Sequence, residues 1–475
     1  MNSHQAVTRR KFLQTSTAAV SFMFLPGVGR VKAKPYSIEN PADYYGRLCY
    51  NENPLGPSPA AVNAMQLSVG MAHRYPDWFS SVLEANIASC HGLSQDNICA
   101  GAGATEIIRL IADAFLSVGD ELITATPTYE QMASEAVTNG ASVVYVPLDG
   151  NYVIDLQGIL QAVTPNTKLI SLVNPNNPVA TIIHKTDMES FLNALPAGIM
   201  VVVDEAYHHY VHSPNYESCI RFVSEGFPVI VVRTFSKVYG LAGARIGYSI
   251  AASNYTNQIA SSQLFGTVSN LGQAAAQAAL NDSQHLINTI SLNDQAKQIL
   301  EAGFASLSLG YIPSETNFIM FDTGTNAAPV VSQLASNGFQ VRTGWGMPQH
   351  IRVSTGSLAE MHEFISVLGN VMGRDNVNTN EAVETFSLNS IYPNPFNNQC
   401  NIKITTAGSE KVVLTVHDLL GRKVCTLLNS TMTPGIHTSS WDGKDVYGKV
   451  VASGVYIINL IQGEFAASAR AILVK

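Results

Sequence analysis

The stretch Arg233–Tyr248, RTFSKVYGLAGARIGY, constrains this chain more than any other. It follows an apolar, β-branched run, Pro228–Val232, which reads as a buried strand and stops at a polar turn carrying Lys237. The carboxyl end of a strand is where α/β proteins place their chemistry. Thr234 and Ser236 set hydroxyls beside the lysine, Gly240 and Gly243 let the backbone turn tightly, and Arg245 adds a fixed cation just beyond. Hydroxyls, amides and an arginine together form a cradle for a phosphate dianion, with an amine held next to it.

The same arrangement recurs upstream. Ala100–Glu106, AGAGATE, sets glycines before an apolar-periodic helix expected over Ile107–Leu116, which exposes the amides of Ala104 and Thr105 at the positive end of a helix dipole. An expected strand Glu121–Thr124 ends at Pro127-Thr128-Tyr129, and Leu169–Val173 runs into Asn174-Pro175-Asn176-Asn177-Pro178. Ile199–Val203 then delivers Asp204-Glu205-Ala206-Tyr207. Each polar group falls at or just past a strand's carboxyl end. Strands alternating with helices in this order predict a mainly parallel sheet with helices on both faces. Ala251–Asp282 is helix-rich and leads into a smaller α/β unit containing Ser314-Glu315-Thr316-Asn317-Phe318 and Ile351-Arg352-Val353-Ser354.

The first residues read as an address. Thr8-Arg9-Arg10-Lys11-Phe12-Leu13 is a twin-arginine box, followed by an apolar run from Ala18 to Leu25 and a small-residue cleavage site at Val31-Lys32-Ala33. That run is too short for a permanent transmembrane helix, so the mature chain is expected to begin near Lys34 in the periplasm or at the cell surface. A formal net charge of -8 and a pI near 5.8 argue against nucleic acid as a partner. The six cysteines show no metal-ligand spacing. His208, His209 and His212 lack the carboxylate or cysteine partners of a metal site and are expected to line a loop. Cys400 and Cys425 either pair or remain separate buried thiols.

In its detail, SKVYGLAGARIGY resembles the active-site lysine motif of fold-type I pyridoxal-phosphate enzymes, specifically the histidinol-phosphate aminotransferase branch of the class I/II aminotransferases. The resemblance runs from about Tyr50 to about Gly369 and includes the asparagine-proline signature at Asn174–Pro178. It implies that Lys237 holds pyridoxal 5'-phosphate covalently and moves the substrate's α-proton, while Asp204 pairs with the pyridinium nitrogen. Asn177 and Tyr207 would share the phenolic oxygen, and Tyr129 would lie on the ring. Ala104, Thr105, Thr234, Ser236 and Arg245 would hold the phosphate. Tyr75, in Arg74-Tyr75-Pro76-Asp77, would reach the phosphate of a neighbouring subunit, which requires a homodimer. Asn53, in YNENPLGPS, and Asn317 would face the substrate, and Arg352 would grip its α-carboxylate.

Two departures stand out. Ala104 replaces a common serine, which leaves a backbone contact intact, and Val179-Ala180 replaces threonine and glycine, which puts the following turn in question. The activity implied is amino transfer between an amino donor and a 2-oxo acid acceptor. β-Lyase and racemase chemistry use the same parts, and fold alone does not separate them. A retired enzyme acting as an exported binding protein is disfavoured because lysine, aspartate, asparagine and phosphate-binding residues occur together.

Composition shifts after Val371. Arg374–Glu384 reads as a polar linker, and Ser387–Lys475 as short alternating strands broken by glycine and asparagine turns, an all-β sandwich pattern. This last part resembles the C-terminal sorting domains of the type IX secretion system, which implies export machinery as a partner. The expected division is therefore a signal peptide over 1–33, an aminotransferase domain over 34–372, a linker over 373–386 and the sandwich over 387–475. Within the second, a large domain is expected over about 75–265, with the N-terminal segment and about 270–372 forming a small one.

Overall fold

Near-continuous apolar runs along the central strands build the large sheet and bury it between two layers of helices. The computed structural model describes residues 45–374 and 386–475, apart from positions 395, 407–409, 419, 420, 434, 464 and 475. The twin-arginine box, the apolar run behind it, the cleavage site and nearly all of the linker lie outside the described residues.

Seven strands form the first sheet: β1 (Ile98–Gly101), β2 (Glu121–Thr126), β3 (Ser142–Pro147), β4 (Thr167–Val173), β5 (Met200–Asp204), β6 (Val229–Thr234) and β7 (Gly247–Ile250). Their order is β1-β7-β6-β5-β4-β2-β3. Pairings among β2 to β6 are parallel, and only β7 runs against its neighbours. Val201, Val203, Val229 and Val231 pack into one helical layer, whereas Met200, Val202, Ile230 and Val232 pack into the other.

The same period of two decides the polar residues at the strand ends. Asp204 and Thr234 fall on one side and line one cavity, while Arg233 falls on the other and lines a second. There Arg233 meets the fully buried Glu205 with Nη2 2.7 Å from Oε2. Consecutive acidic residues, Asp204 and Glu205, therefore have unrelated tasks.

A second sheet, all antiparallel, has the order β10-β11-β9-β8, with β8 (Gly310–Ile312), β9 (Phe318–Asp322), β10 (Arg342–Gly344) and β11 (Met347–Ser354). Helices Ser283–Ser306, Ala327–Ser336 and Leu358–Met372 cover it around Phe304, Phe321 and Phe364. Leu48 joins this core, and Arg47 bridges to Gln340, so the segment at Tyr45–Asn53 is anchored on the second sheet. The last helix begins with a reciprocal Ser357/Glu360 capping box and ends at left-handed Gly373, where the aminotransferase-like part stops.

Beyond it, β12 (Ser387–Tyr392), β13 (Cys400–Thr406) and β16 (Gly435–Trp441) form one antiparallel sheet. β14 (Lys411–His417), β15 (Lys423–Thr431), β17 (Gly454–Gln462) and β18 (Phe465–Leu473) form another. Phe396, Ile402, Leu414, Trp441 and Ile458 fill the space between them, giving the expected sandwich. Cys400 and Cys425 are buried free thiols, the second of the two sequence readings. No helix among the described residues is long and apolar enough to cross a membrane.

Candidate active site

A cavity of about 360 Å³ opens at the carboxyl ends of β4, β5 and β6. Eleven of the residues singled out in the sequence line it: Ala104, Thr105, Tyr129, Asn177, Asp204, Tyr207, Thr234, Ser236, Lys237, Arg245 and Arg352. Convergence of groups spread over so much sequence follows from parallel topology, which brings successive strand ends to one edge.

One end of the cavity suits an anion. The helix Ala104–Phe115 starts after Gly103, whose φ of +84° excludes most side chains, and no side chain caps it. Its first amides are left to a ligand. Arg245, itself left-handed at φ +57°, leans across this end with Nη2 3.4 Å from Thr105 Oγ1. A Cβ on Gly103 would sit 2.5 Å from that Nη2, so glycine makes room for the guanidinium. Gly247 is equally constrained, because a Cβ there would lie 2.2 Å from Ala104 N. Thr234 Oγ1 accepts from Ser236 N at 3.0 Å, which fixes the turn that carries both hydroxyls.

At the centre, Lys237 Nζ donates to the carbonyls of Tyr50 and Asn51 at 3.1 and 3.2 Å. Burial pushes this amine down to about 8, helped by the Arg352 guanidinium and opposed by the carboxylates of Glu52 and Asp204. Asp204, 7% exposed, is pushed up to about 6 by burial, while a hydrogen bond from Ala206 N and the nearby lysine restrain the rise. Burial likewise raises the Tyr207 phenol.

Arg352 forms the opposite wall. It is 2% exposed, donating from Nη1 to Asn177 Oδ1 and from Nη2 to Cys49 O at 2.7 Å. Burial lowers its pKa to about 10, and its Nε has no hydrogen-bond partner. Two guanidinium groups lie over the Trp345 ring, whose centre is 5.1 Å from the Arg352 Cζ and 5.0 Å from the Arg342 Cζ.

Three expected site residues do not line the cavity. Asn53 is spent on its own turn, on the lysine turn and on a helix, with Oδ1 accepting from Leu55 N at 2.9 Å and Nδ2 donating to Val238 O at 2.9 Å and Thr289 Oγ1 at 3.2 Å. Asn317 donates to Asn51 O at 3.0 Å and so supports the Tyr50–Asn53 stretch from behind. Tyr75 is 89% exposed and away from its own chain's cavity. In place of Asn53, the cavity is walled by Cys49, Tyr50, Asn51 and Glu52. Asn51 takes a left-handed φ of +56°, which sets the direction of the turn, and no pattern in the sequence marks that. Arg342 also lines the cavity unforeseen; it becomes visible only in the register that sets it opposite Arg352.

The doubtful turn at Val179-Ala180 is accommodated rather than lost. Ala180 takes φ +68°, a conformation that favours glycine, and its methyl is held in a fully buried cluster with Tyr207, Tyr210, Val238 and Phe318. His208 and His209 form a short 3₁₀ turn, not merely a loop, and line the second cavity beside Arg233.

Residues 46–368 match the family described as aminotransferase class I and II. The chain belongs to that family. Histidinol-phosphate aminotransferase from Moorella thermoacetica is 37% identical over 329 residues, covering 69% of this chain and 85% of the relative. Its counterpart from Symbiobacterium thermophilum is 36% identical over 69% of this chain and 90% of the relative. The crystal structure of histidinol-phosphate aminotransferase from Sinorhizobium meliloti in complex with pyridoxal-5'-phosphate superposes with a TM-score of 0.67 at 29% identity, covering 75% of this chain and 99% of that one.

The aminotransferase is thus a pyridoxal-phosphate-dependent transaminase of fold type I. The residues present suit that cofactor: an uncapped helix start with an arginine beside it, one cavity-lining amine and a buried carboxyl. Residues 390–475 match the secretion system C-terminal sorting domain, which marks the aminotransferase for secretion.

Proposed function

We propose that Lys237 carries the cofactor and moves the substrate's α-proton, with Asp204 facing the cofactor's ring nitrogen and Tyr129 its ring. Ala104, Thr105, Thr234, Ser236 and Arg245 take the phosphate, and Asn177 and Tyr207 take the phenolic oxygen. The cofactor supplies a sink for the electron pair left when the α-proton departs. An amine depressed to about 8 is a usable base near neutral pH, because about a tenth of it is unprotonated at pH 7, far more than of an ordinary lysine. A carboxyl near 6 is mostly ionised there, and a buried anion favours a protonated ring nitrogen beside it.

Arg352 is the observation that carries the substrate reading. A buried guanidinium without an acidic partner among the described residues leaves a charge uncompensated. A carboxylate on both amino donor and 2-oxo acid acceptor would compensate it, and Arg342 offers a second cation for a further anionic group. The relatives' own names specify histidinol phosphate, whose phosphate is an anion of the kind two arginines accept. The test is a screen of amino donors against wild type and Arg352→Ala. Donors with an anionic group should lose roughly 2–5 kcal/mol of transition-state stabilisation in kcat/KM, and uncharged amines little. Equal losses for charged and uncharged donors would refute the assignment.

The working unit on this reading is a homodimer in which Tyr75 completes the partner's phosphate site. Support comes from the exposed apolar group around it: Leu67, Val69, Met71, Trp78, Phe79 and Phe265. Because the phosphate cradle and the lysine meet only in the folded protein, the cofactor is loaded before passage through the twin-arginine route, which carries folded chains. That route takes the folded enzyme into the periplasm, and delivery beyond it then depends on the C-terminal sandwich.

A further inference from the structure

We propose that Asn51 is a positioning residue for Tyr207: its side-chain amide makes the Tyr207 hydroxyl an acceptor on one side, so that the phenolic proton is donated into the active-site cavity. The orientation follows from a closed set of hydrogen bonds. The backbone N–H of Asn51 donates to Ser354 Oγ at 2.9 Å, so the Ser354 proton is left to donate to Asn51 Oδ1, also at 2.9 Å. That fixes the amide's oxygen toward Ser354 and its nitrogen toward Tyr207, whose hydroxyl oxygen lies 2.9 Å from Nδ2. An amide nitrogen only donates. Tyr207 must accept from it, and its single proton points elsewhere.

Burial makes this arrangement durable. Asn51 is 2% exposed and Tyr207 4%, and the Tyr207 ring is held edge-on against Phe318 at 5.1 Å. The same Asn51 also presents its carbonyl to Lys237 Nζ at 3.2 Å, so one left-handed residue organises the phenol and the amine together. Lys237, Asp204, Glu52, Arg245, Arg342 and Arg352 are the charged groups facing this part of the cavity. Removing the Asn51 side chain changes none of them. It frees the tyrosine hydroxyl to rotate and share its proton, and leaves the uncharged Ser354 hydroxyl without its acceptor.

This inference rests on the reading of Tyr207 as a donor to the cofactor's phenolic oxygen. A donor to an anionic oxygen stabilises the deprotonated form, so losing it raises the pH at which the bound cofactor's visible absorbance titrates. The experiment records that midpoint in purified holoenzyme for wild type, Asn51→Gly, Tyr207→Phe and the double variant. Glycine keeps the left-handed backbone at position 51 without strain. Tyr207→Phe should raise the midpoint by about one pH unit, a tenfold change, and Asn51→Gly by a large part of that. The double variant should go no further than Tyr207→Phe alone, because both changes remove one interaction. Ser354→Ala, which leaves Asn51 in place but releases its amide, should give a smaller rise that also vanishes with Phe at position 207. An unchanged midpoint in Tyr207→Phe overturns the cofactor reading and this inference together. A shift in Tyr207→Phe with none in Asn51→Gly, or additive shifts in the double variant, overturns the role of Asn51 alone.

Discussion

His208 gives the aminotransferase an acid sensitivity whose size follows from its surroundings. The imidazole packs behind the active-site strands, with Nδ1 3.2 Å from Tyr216 Oη and its side chain 27% exposed. Burial first, then the Arg233 guanidinium, lowers its pKa from 6.5 to about 3. Glu205 lies 4.0 Å away but gives no net attraction, since it is already paired with Arg233 at 2.7 Å. Between those two pKa values the unfolded chain binds a proton that the folded one refuses. The contribution is therefore fully present above about pH 6.5 and is lost as pH falls, reaching roughly 2 kcal/mol at about pH 5.

Glu84 and Asp204, raised by burial to about 7 and about 6, act in the opposite direction, because the folded state holds their protons more tightly. A wild-type profile alone would mix these effects. Comparison with His208→Gln isolates the histidine, as the carboxyl contributions cancel in the difference. Whatever gap separates the two proteins at about pH 7.5 should move by roughly 2 kcal/mol in favour of the variant at about pH 5, close to 3 °C in the midpoint of thermal unfolding of the cofactor-loaded enzyme. A gap that stays constant over this range would show that His208 is protonated in the folded state and that its burial is not limiting.

Three further outcomes are expected. Asp204→Asn should abolish transamination while leaving the fold intact by circular dichroism, because the ring nitrogen loses the anion that keeps it protonated; a variant that keeps the wild-type rate would contradict this. Wild type should run as a dimer in light scattering, and Tyr75→Ala should weaken cofactor retention on dialysis without altering Lys237; a fully active wild-type monomer would rule the shared site out. Removing residues 387–475 should spare activity and stop delivery beyond the periplasm, since the helix before the sandwich is closed by its own cap at Gly373, whereas Arg9→Lys with Arg10→Lys should strand active enzyme in the cytoplasm, both read by fractionation with activity assays.

The site was legible in the sequence wherever a residue type and its strand end carry the information together. Lys237, Asp204 and Asn177 each come after a run of apolar residues too regular to be anything but a buried strand, and parallel topology then forces their ends to one edge. The glycine turn before the helix Ala104–Phe115 was readable as a helix start with exposed amides, a weak signal by itself that Arg245 strengthens only by lying beside it in the fold. The N-terminal segment was not readable in this way. Asn51 and Asn53 sit two apart in one turn-rich stretch with the same side chain, and nothing local says which faces the cavity.

By itself the sequence determined the α/β body, the order of its strands' polar ends, the family and the all-β tail, because hydrophobic period and motif order are one-dimensional properties. Tertiary structure alone decided three things. It turned Asn51 inward and Asn53 away through one left-handed residue, brought Arg342 opposite Arg352 through hairpin register, and separated Asp204 from Glu205 by the two faces of a sheet. Each depends on a direction in space, and a direction exists only once distant strands and helices have fixed the backbone that carries it.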